Sequence, residues 1–161
     1  MSRMKCGRFT IRQAVEADFA EILDLIKALA LFEKAPEKVT NSVEQMISEK
    51  EYFRCLVATD EDENIIAICL YFFAYYTWVG KSLYLDDLYV LEPYRRQGIA
   101  SALLNKLFDV ARNENCHRVR WQVLDWNESA IQFYKKCGAI LDNEWINCDF
   151  DRKGIWEFRL E

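Results

Sequence analysis

Leu83-Tyr84-Leu85-Asp86-Asp87-Leu88-Tyr89-Val90 runs through Leu91-Glu92-Pro93-Tyr94 into Arg95-Arg96-Gln97-Gly98-Ile99-Ala100. The first eight residues read as a strand, entered by a turn at Gly80-Lys81. After Pro93 the apolar period becomes helical, because Ile99, Leu103, Leu107, Val110 and Ala111 fall on one stripe. Arg118 to Leu124 then reads as another strand. A strand, helix and strand in this order make a crossover, which places two neighbouring strands parallel and splays them to leave a cleft. Within the first strand, Leu83 and Leu85 have odd parity, whereas Leu88 and Val90 have even parity. Tyr84 and Tyr89 make the other face partly apolar too, yet a β-bulge near Asp86-Asp87 explains the switch.

Working outward, Phe9 to Ala14 reads as a first strand, and Asp18 is placed to cap or charge the next helix. Phe19, Ile22, Leu23, Ile26, Leu29 and Ala30 repeat at three and four, which predicts an amphipathic helix to about Leu31. Pro36 ends that region, and Val39 to Lys50 reads as a second helix with Val43, Met46 and Ile47 inward. Cys55 to Ala58, a polar turn at Asp60 to Asn64, Ile65 to Trp78 and Leu83 to Val90 form an antiparallel meander. Ser129 to Cys137 reads as a helix stopped by Gly138. Trp156, Phe158 and Leu160 alternate, which predicts a terminal strand, with Glu144 and Trp145 before the last strands. The expectation is one α/β domain spanning residues 1–161.

The chain has 161 residues, 52% hydrophobic, and a net charge of -5. Such a balance argues against phosphate-backbone binding and therefore against a nucleic-acid partner. It suits a small cationic ligand, although modest negative charge also serves solubility. No run approaches the roughly 20 apolar residues of a membrane span, and Met1 to Cys6 leads into no secretory apolar run. The six cysteines (Cys6, Cys55, Cys69, Cys116, Cys137, Cys148) include no C-x-x-C pair and there is one histidine, His117. That excludes an ordinary structural zinc site and points to reduced thiols in the cytoplasm, with no metal cofactor.

Arg95 to Ala100 opens a helix, where unpaired amides and the positive end of the dipole attract phosphate. Gly98 and Ala100 let the backbone approach closely. The six residues alone read equally as a helix start with exposed arginines. They lack the G-K-[ST] ending of a P-loop and the three glycines of a dinucleotide fingerprint. The pattern R-x-x-G-x-A after Leu88-Tyr89-Val90 resembles the Q/R-x-x-G-x-G/A motif of GNAT acetyltransferases. Leu83 to Val90, Tyr94-Arg95, Trp126-Asn127-Glu128 and Phe133-Tyr134-Lys135 resemble the diamine (spermidine/spermine) and thialysine N-acetyltransferases, and the likeness covers nearly the whole chain. Leu29-Ala30 to Glu33-Lys34 and Val123 to Asn127 are more similar to the thialysine branch. Ala100 replaces the commoner glycine, Asp86 stands where relatives usually have glutamate, and the Asp60 to Asn64 loop is shorter.

The resemblance implies the GNAT fold: a mixed, mostly antiparallel central sheet flanked by helices and splayed between two parallel strands at the cofactor cleft. It implies acetyl-CoA as co-substrate, with Leu88, Tyr89 and Val90 against its acyl arm. Arg95, Arg96, Gln97, Gly98, Ile99, Ala100 and Ser101 would hold the pyrophosphate, and Asn127, Ala130 and Tyr134 would make further cofactor contacts. Tyr134 would protonate the leaving thiolate, though by sequence alone it reads as core packing. Asp86 would orient or deprotonate the amine, directly or through water, and Asp87 would assist; a solvated acidic turn is the other reading. Phe32 and Glu33 would line the acceptor site, Glu33 reading equally as a solvated helix-end charge. Glu144 and Trp145 would close the pocket. Similar enzymes form homodimers through the terminal region. The acceptor implied is thialysine, a related basic amino acid, or a polyamine. A protein N-terminal or lysine acetyltransferase and a noncatalytic acetyl-CoA-binding module are the competing readings; Tyr134 with Asp86 argues against the second.

Overall fold

The computed structural model of the chain describes residues 8–160, and Met1 to Cys6 lie outside them. The chain divides into two compact units, one ending at Gln122 and the other beginning at Val123.

The first unit is a five-stranded sheet in the order β1-β2-β3-β4-β5, formed by Thr10–Gln13, Arg54–Thr59, Ile65–Tyr76, Gly80–Val90 and Arg118–Arg120. The first four strands are antiparallel neighbours, while β4 and β5 run parallel. The expected meander and crossover are therefore both present. β5 is shorter than the sequence pattern suggested, stopping at Arg120 instead of continuing to Leu124.

Residues paired directly across strands share a face, so the register sorts the core. Cys55 and Val57 pair with Leu70 and Ile68. These four bury against Phe19, Ile22, Leu23 and Leu25 of helix α1 (Phe19–Phe32) and Met46 of the short helix α2 (Val43–Ser48). The opposite face receives helix α3 (Ile99–Asn113), whose Leu103 and Leu107 are completely buried. Full burial of one leucine contributes about 1.5–3 kcal/mol, so the sheet is clamped from both faces.

Two local departures have simple causes. The expected helix from Val39 to Lys50 contracts to α2, because Ser42 caps it by accepting from Gln45 N–H at 3.1 Å and single 3-10 turns flank it at Pro36–Lys38 and Lys50–Tyr52. In so short a helix Met46 is buried but Ile47 faces solvent, contrary to the inward face expected for it. Asp18 precedes α1 without capping it through its side chain. It pairs instead with Arg12 of β1 at 2.7 and 2.9 Å and accepts from Val15 N–H, and the Arg12 hydrogen bond holds its carboxyl below the usual range.

The second unit holds helix α4 (Glu128–Lys136) and the short helix α5 (Arg152–Glu157). The predicted terminal strands are absent among the described residues. The stretch around Trp156 is helical because Asp151 accepts from Gly154 N–H at 2.7 Å and seeds a turn, reinforced by Lys153 and Glu157 one turn apart at 3.9 Å. An alternating pattern becomes a strand only where another strand supplies hydrogen bonds, and none pairs with Phe158 or Leu160. Ile140, Trp145, Ile146, Trp156 and Leu160 are all exposed. No helix among the described residues is long and apolar enough to cross a membrane.

Candidate active site

The bulge forecast by parity is present in β4. Tyr71 of β3 pairs with Leu85 and Leu70 pairs with Asp87, leaving Asp86 as the extra residue. Its insertion keeps Leu83 and Leu85 on the same face as Leu88 and Val90. It also turns Asp87 and Tyr89 toward the α1 face, the face of their partners Leu70 and Ile68. On its other edge β4 pairs with β5 only from Ser82 to Tyr84. From Leu85 to Val90 no described strand pairs there, so the splay begins where the bulge begins.

Three carboxyl groups gather near this point. Asp87 is half-buried, and desolvation, followed by the charges of Asp86 and Glu33, pushes its pKa up to about 7. Asp86 reaches solvent, yet the protein around it is dense enough for desolvation to raise its pKa as well. Glu33, the residue after α1, is raised by burial and by the charge of Asp86. Glu33, Asp86 and Asp87 thus lie within reach of one another's charge, and Phe32 precedes Glu33 at the end of α1. The register turns Asp87 to the α1 side, while Asp86 is the exposed extra residue of the bulge.

After β4 the chain is held tightly. Leu91 N–H donates to the Ile66 carbonyl, and the Tyr94 hydroxyl donates to Asp60 at 3.1 Å. Asp60 simultaneously organises its turn by accepting from the Asp62 and Asn64 amides. Gln97 donates its side-chain amide to the Pro93 carbonyl. Gly98 then adopts φ 80°, and a Cβ there would meet no atom within 4 Å, so the glycine is required by backbone conformation and not by crowding. It leads into the 15-residue α3, whose first amides have no partner in the helix. Gln97, Gly98, Ile99, Ala100 and Ser101 therefore form a helix start competent to bind an anion. Arg96 is exposed beside it, at φ 61°.

The Arg95 side chain, at the head of this loop, is held by neighbouring protein groups. Its Nε–H donates to the Val90 carbonyl at 3.0 Å, and its guanidinium lies 5.3 Å from the Phe32 ring centroid and 5.4 Å from that of Tyr89. Neither this arrangement nor the Tyr94–Asp60 bond has a signal in local sequence, since each joins elements far apart in the chain.

In the second unit, Asn127 caps α4 by accepting from Ala130 N–H at 3.3 Å. Tyr134 is half-buried with its ring 5.5 Å from that of Phe133. Gly138, at φ 89°, stops α4: its N–H donates to the Lys135 carbonyl and that of Ala139 to the Tyr134 carbonyl. Glu144 and Trp145 are both exposed, and the Glu144 amide donates to Asp142.

Comparison with known proteins agrees with this geometry. The model of the acetyltransferase (GNAT) family matches residues 19–139. Thialysine N-epsilon-acetyltransferase of Mus musculus is 36% identical over 91% of this chain and 95% of its own. Spermidine/spermine N(1)-acetyltransferase-like protein 1 of Homo sapiens is 31% identical over 100% of this chain and 25% of its own. A crystal structure of an aminoglycoside acetyltransferase from an uncultured soil metagenomic sample, 18% identical, superimposes with a TM-score of 0.73 over 89% of this chain and 95% of that one, which speaks to the fold. With the helix-start loop, the bulged strand and a family match across most of its length, the chain belongs to the GNAT acetyltransferase family.

Proposed function

We propose that this chain moves an acetyl group from acetyl-CoA directly to the amine of a small cation: thialysine, a related basic amino acid, or a polyamine such as spermidine or spermine. The mouse and human relatives are named for such amines. The observation that carries the reading is the group of carboxyls at the β4 bulge, with Asp87 poised at about 7 beside Asp86 and Glu33. Acids gathered in a partly desolvated site favour a cationic ligand, and an amine must shed its proton before it can attack.

Acetyl-CoA supplies the activated thioester. The residues present fit it: the α3 amides after Gly98, with Arg96 beside them, suit its pyrophosphate, and the unpaired edge from Leu85 to Val90 offers backbone groups to its acyl arm. Glu33 and Phe32 hold the far end of the acceptor, the carboxylate pairing with a distal ammonium and the ring covering its aliphatic chain. Asp87, with Asp86 next to it, takes the proton that the attacking ammonium loses. The freed nitrogen pair then forms the C–N bond as the C–S bond breaks, and the second proton that this nitrogen sheds on becoming an amide replaces the one given to the departing sulfur. Tyr134 supplies the proton for the departing sulfur, a role resting on the sequence resemblance. Asn127, Ala130, Glu144 and Trp145 keep the roles that the resemblance implies.

The family match crosses the junction at Gln122, which supports one catalytic domain made from the whole chain. The exposed apolar residues of the second unit support a homodimer, and five free cysteines among the described residues suit the cytoplasm.

Thiol release from acetyl-CoA measured with thialysine, lysine, spermidine, spermine and lysine-containing peptides tests the reading. A small di- or polycation should be acetylated fastest; a peptide preference, or no acceleration by any amine, would overturn it. Tyr134→Phe should lower kcat about 10²-fold, in the range of lost general acid catalysis, with acetyl-CoA affinity preserved.

A further inference from the structure

We infer that Arg95 is a positioning residue for the acceptor, tying the start of the phosphate-binding loop to the end of α1 through Phe32. This rests on the reading of Phe32 and Glu33 as acceptor residues. Three contacts fix the Arg95 side chain, and they come from separate places. Its Nε–H is committed to the carbonyl of Val90, the last residue of β4. One ring beneath the guanidinium belongs to Tyr89 of the same strand, and the other to Phe32, the last residue of α1.

The consequence follows from the shape of the group. A guanidinium is a rigid plane; with its Nε–H spent and rings within cation–π range, it cannot swing to follow a phosphate without giving up all three contacts. Phe32 is 43% exposed at the last residue of α1, next to Glu33. The Arg95 guanidinium over its ring is a contact that joins this end of α1 to β4. Arg96, exposed and one residue closer to Gly98, is left to meet the anion. Neighbouring arginines in one motif thus divide the work: Arg96 serves the donor, and Arg95 shapes the acceptor wall.

Lysine keeps the charge at position 95 but has neither the Nε–H nor the plane. The test is a double-mutant cycle of Arg95→Lys and Phe32→Ala, with acceptor KM, coenzyme A Kd and thermal unfolding measured for each protein. Each single substitution should raise acceptor KM about tenfold and alter coenzyme A Kd by less than about threefold, and the double variant should be no worse than the poorer single one. A roughly tenfold rise in coenzyme A Kd for Arg95→Lys with acceptor KM unchanged would make Arg95 an anion ligand and overturn the inference. Multiplicative effects in the double variant would do the same. If the wild type acetylates no amine, the acceptor reading fails separately. The unfolding cycle then decides the Arg95–Phe32 link: melting shifts that fail to add support it, and shifts that add refute it.

Discussion

The two halves of β4 are one strand by sequence and different parts by physics. Ser82 to Tyr84 lies between β3 and β5, with Ser82 and Leu83 wholly buried. Leu85 to Val90 pairs with β3 alone, carries the bulge at Asp86 and presents two carboxyls whose pKa values are raised. A strand with both edges satisfied and apolar contacts on its face stabilises the fold. Withdrawing the neighbour from one edge and adding one residue gives up some of that pairing and yields free backbone groups and poised acids. On the proposed function, stability and chemistry separate within the eleven residues of β4, and substitutions in the two halves should give opposite profiles.

The largest expected effect is on turnover in the second half. Asp87→Asn should lower kcat/KM for the amine about 10²–10⁴-fold, the range for a lost general base. The same change should leave the fold intact and abolish a stability trend with pH. In the wild type the folded Asp87 holds its proton up to about pH 7, whereas the unfolded side chain loses it near pH 3.8. Folding is thus favoured below that lower value and is weakened as the pH rises through 7. Asparagine removes this dependence, so the variant should be the more stable protein at pH 8, by an amount on the order of a few kcal/mol. Urea unfolding at pH 5 and pH 8 would show it. A variant less stable than wild type at pH 8 would mean that Asp87 supports the sheet after all.

In the first half, Leu83→Ala should do the reverse. Emptying that wholly buried position should cost about 2–5 kcal/mol of stability, while kcat/KM per folded molecule stays within about threefold of wild type. A selective loss of acceptor affinity would break the division between the halves. The smallest effect belongs to Glu33→Gln. It should raise acceptor KM about three- to tenfold, as for an ion pair in a partly desolvated site. Removing a like charge should also move the Asp87 titration to lower pH, readable in the pH–rate profile. Equal weakening of acetyl-CoA would take Glu33 out of the acceptor site.

Much of the first unit was legible in the sequence because period-two and period-three-to-four patterns there coincide with burial. The switch of parity from Leu83 and Leu85 to Leu88 and Val90 gave away the bulge, and the run into Gly98 gave away the helix start. The end of the chain misled for a related reason. Trp156, Phe158 and Leu160 alternate, but alternation makes a strand only beside another strand, and the Asp151 cap settles the local choice in favour of a turn of helix. Val39 to Lys50 shrank to α2 because Ser42 fixed a later start than the apolar pattern suggested. That Asp87 is the more buried of the two carboxyls could not be read from sequence, since burial of a carboxyl depends on which β3 residue it meets. The side-chain contacts of Arg95 had no signal in its motif, because its partners Phe32 and Tyr89 come from elements that only the folded chain brings together.

The most direct test of the account is the pH dependence of kcat/KM for the acceptor, measured in parallel for the wild type and Asp87→Asn. The wild type should gain activity as the pH rises through about 7, the value set by the burial of Asp87 and by the charges of Asp86 and Glu33. The variant should lose that limb and remain slow throughout. An Asp87→Asn profile with the wild-type limb and wild-type rates would contradict the assignment of the bulged half of β4 to proton removal from the amine.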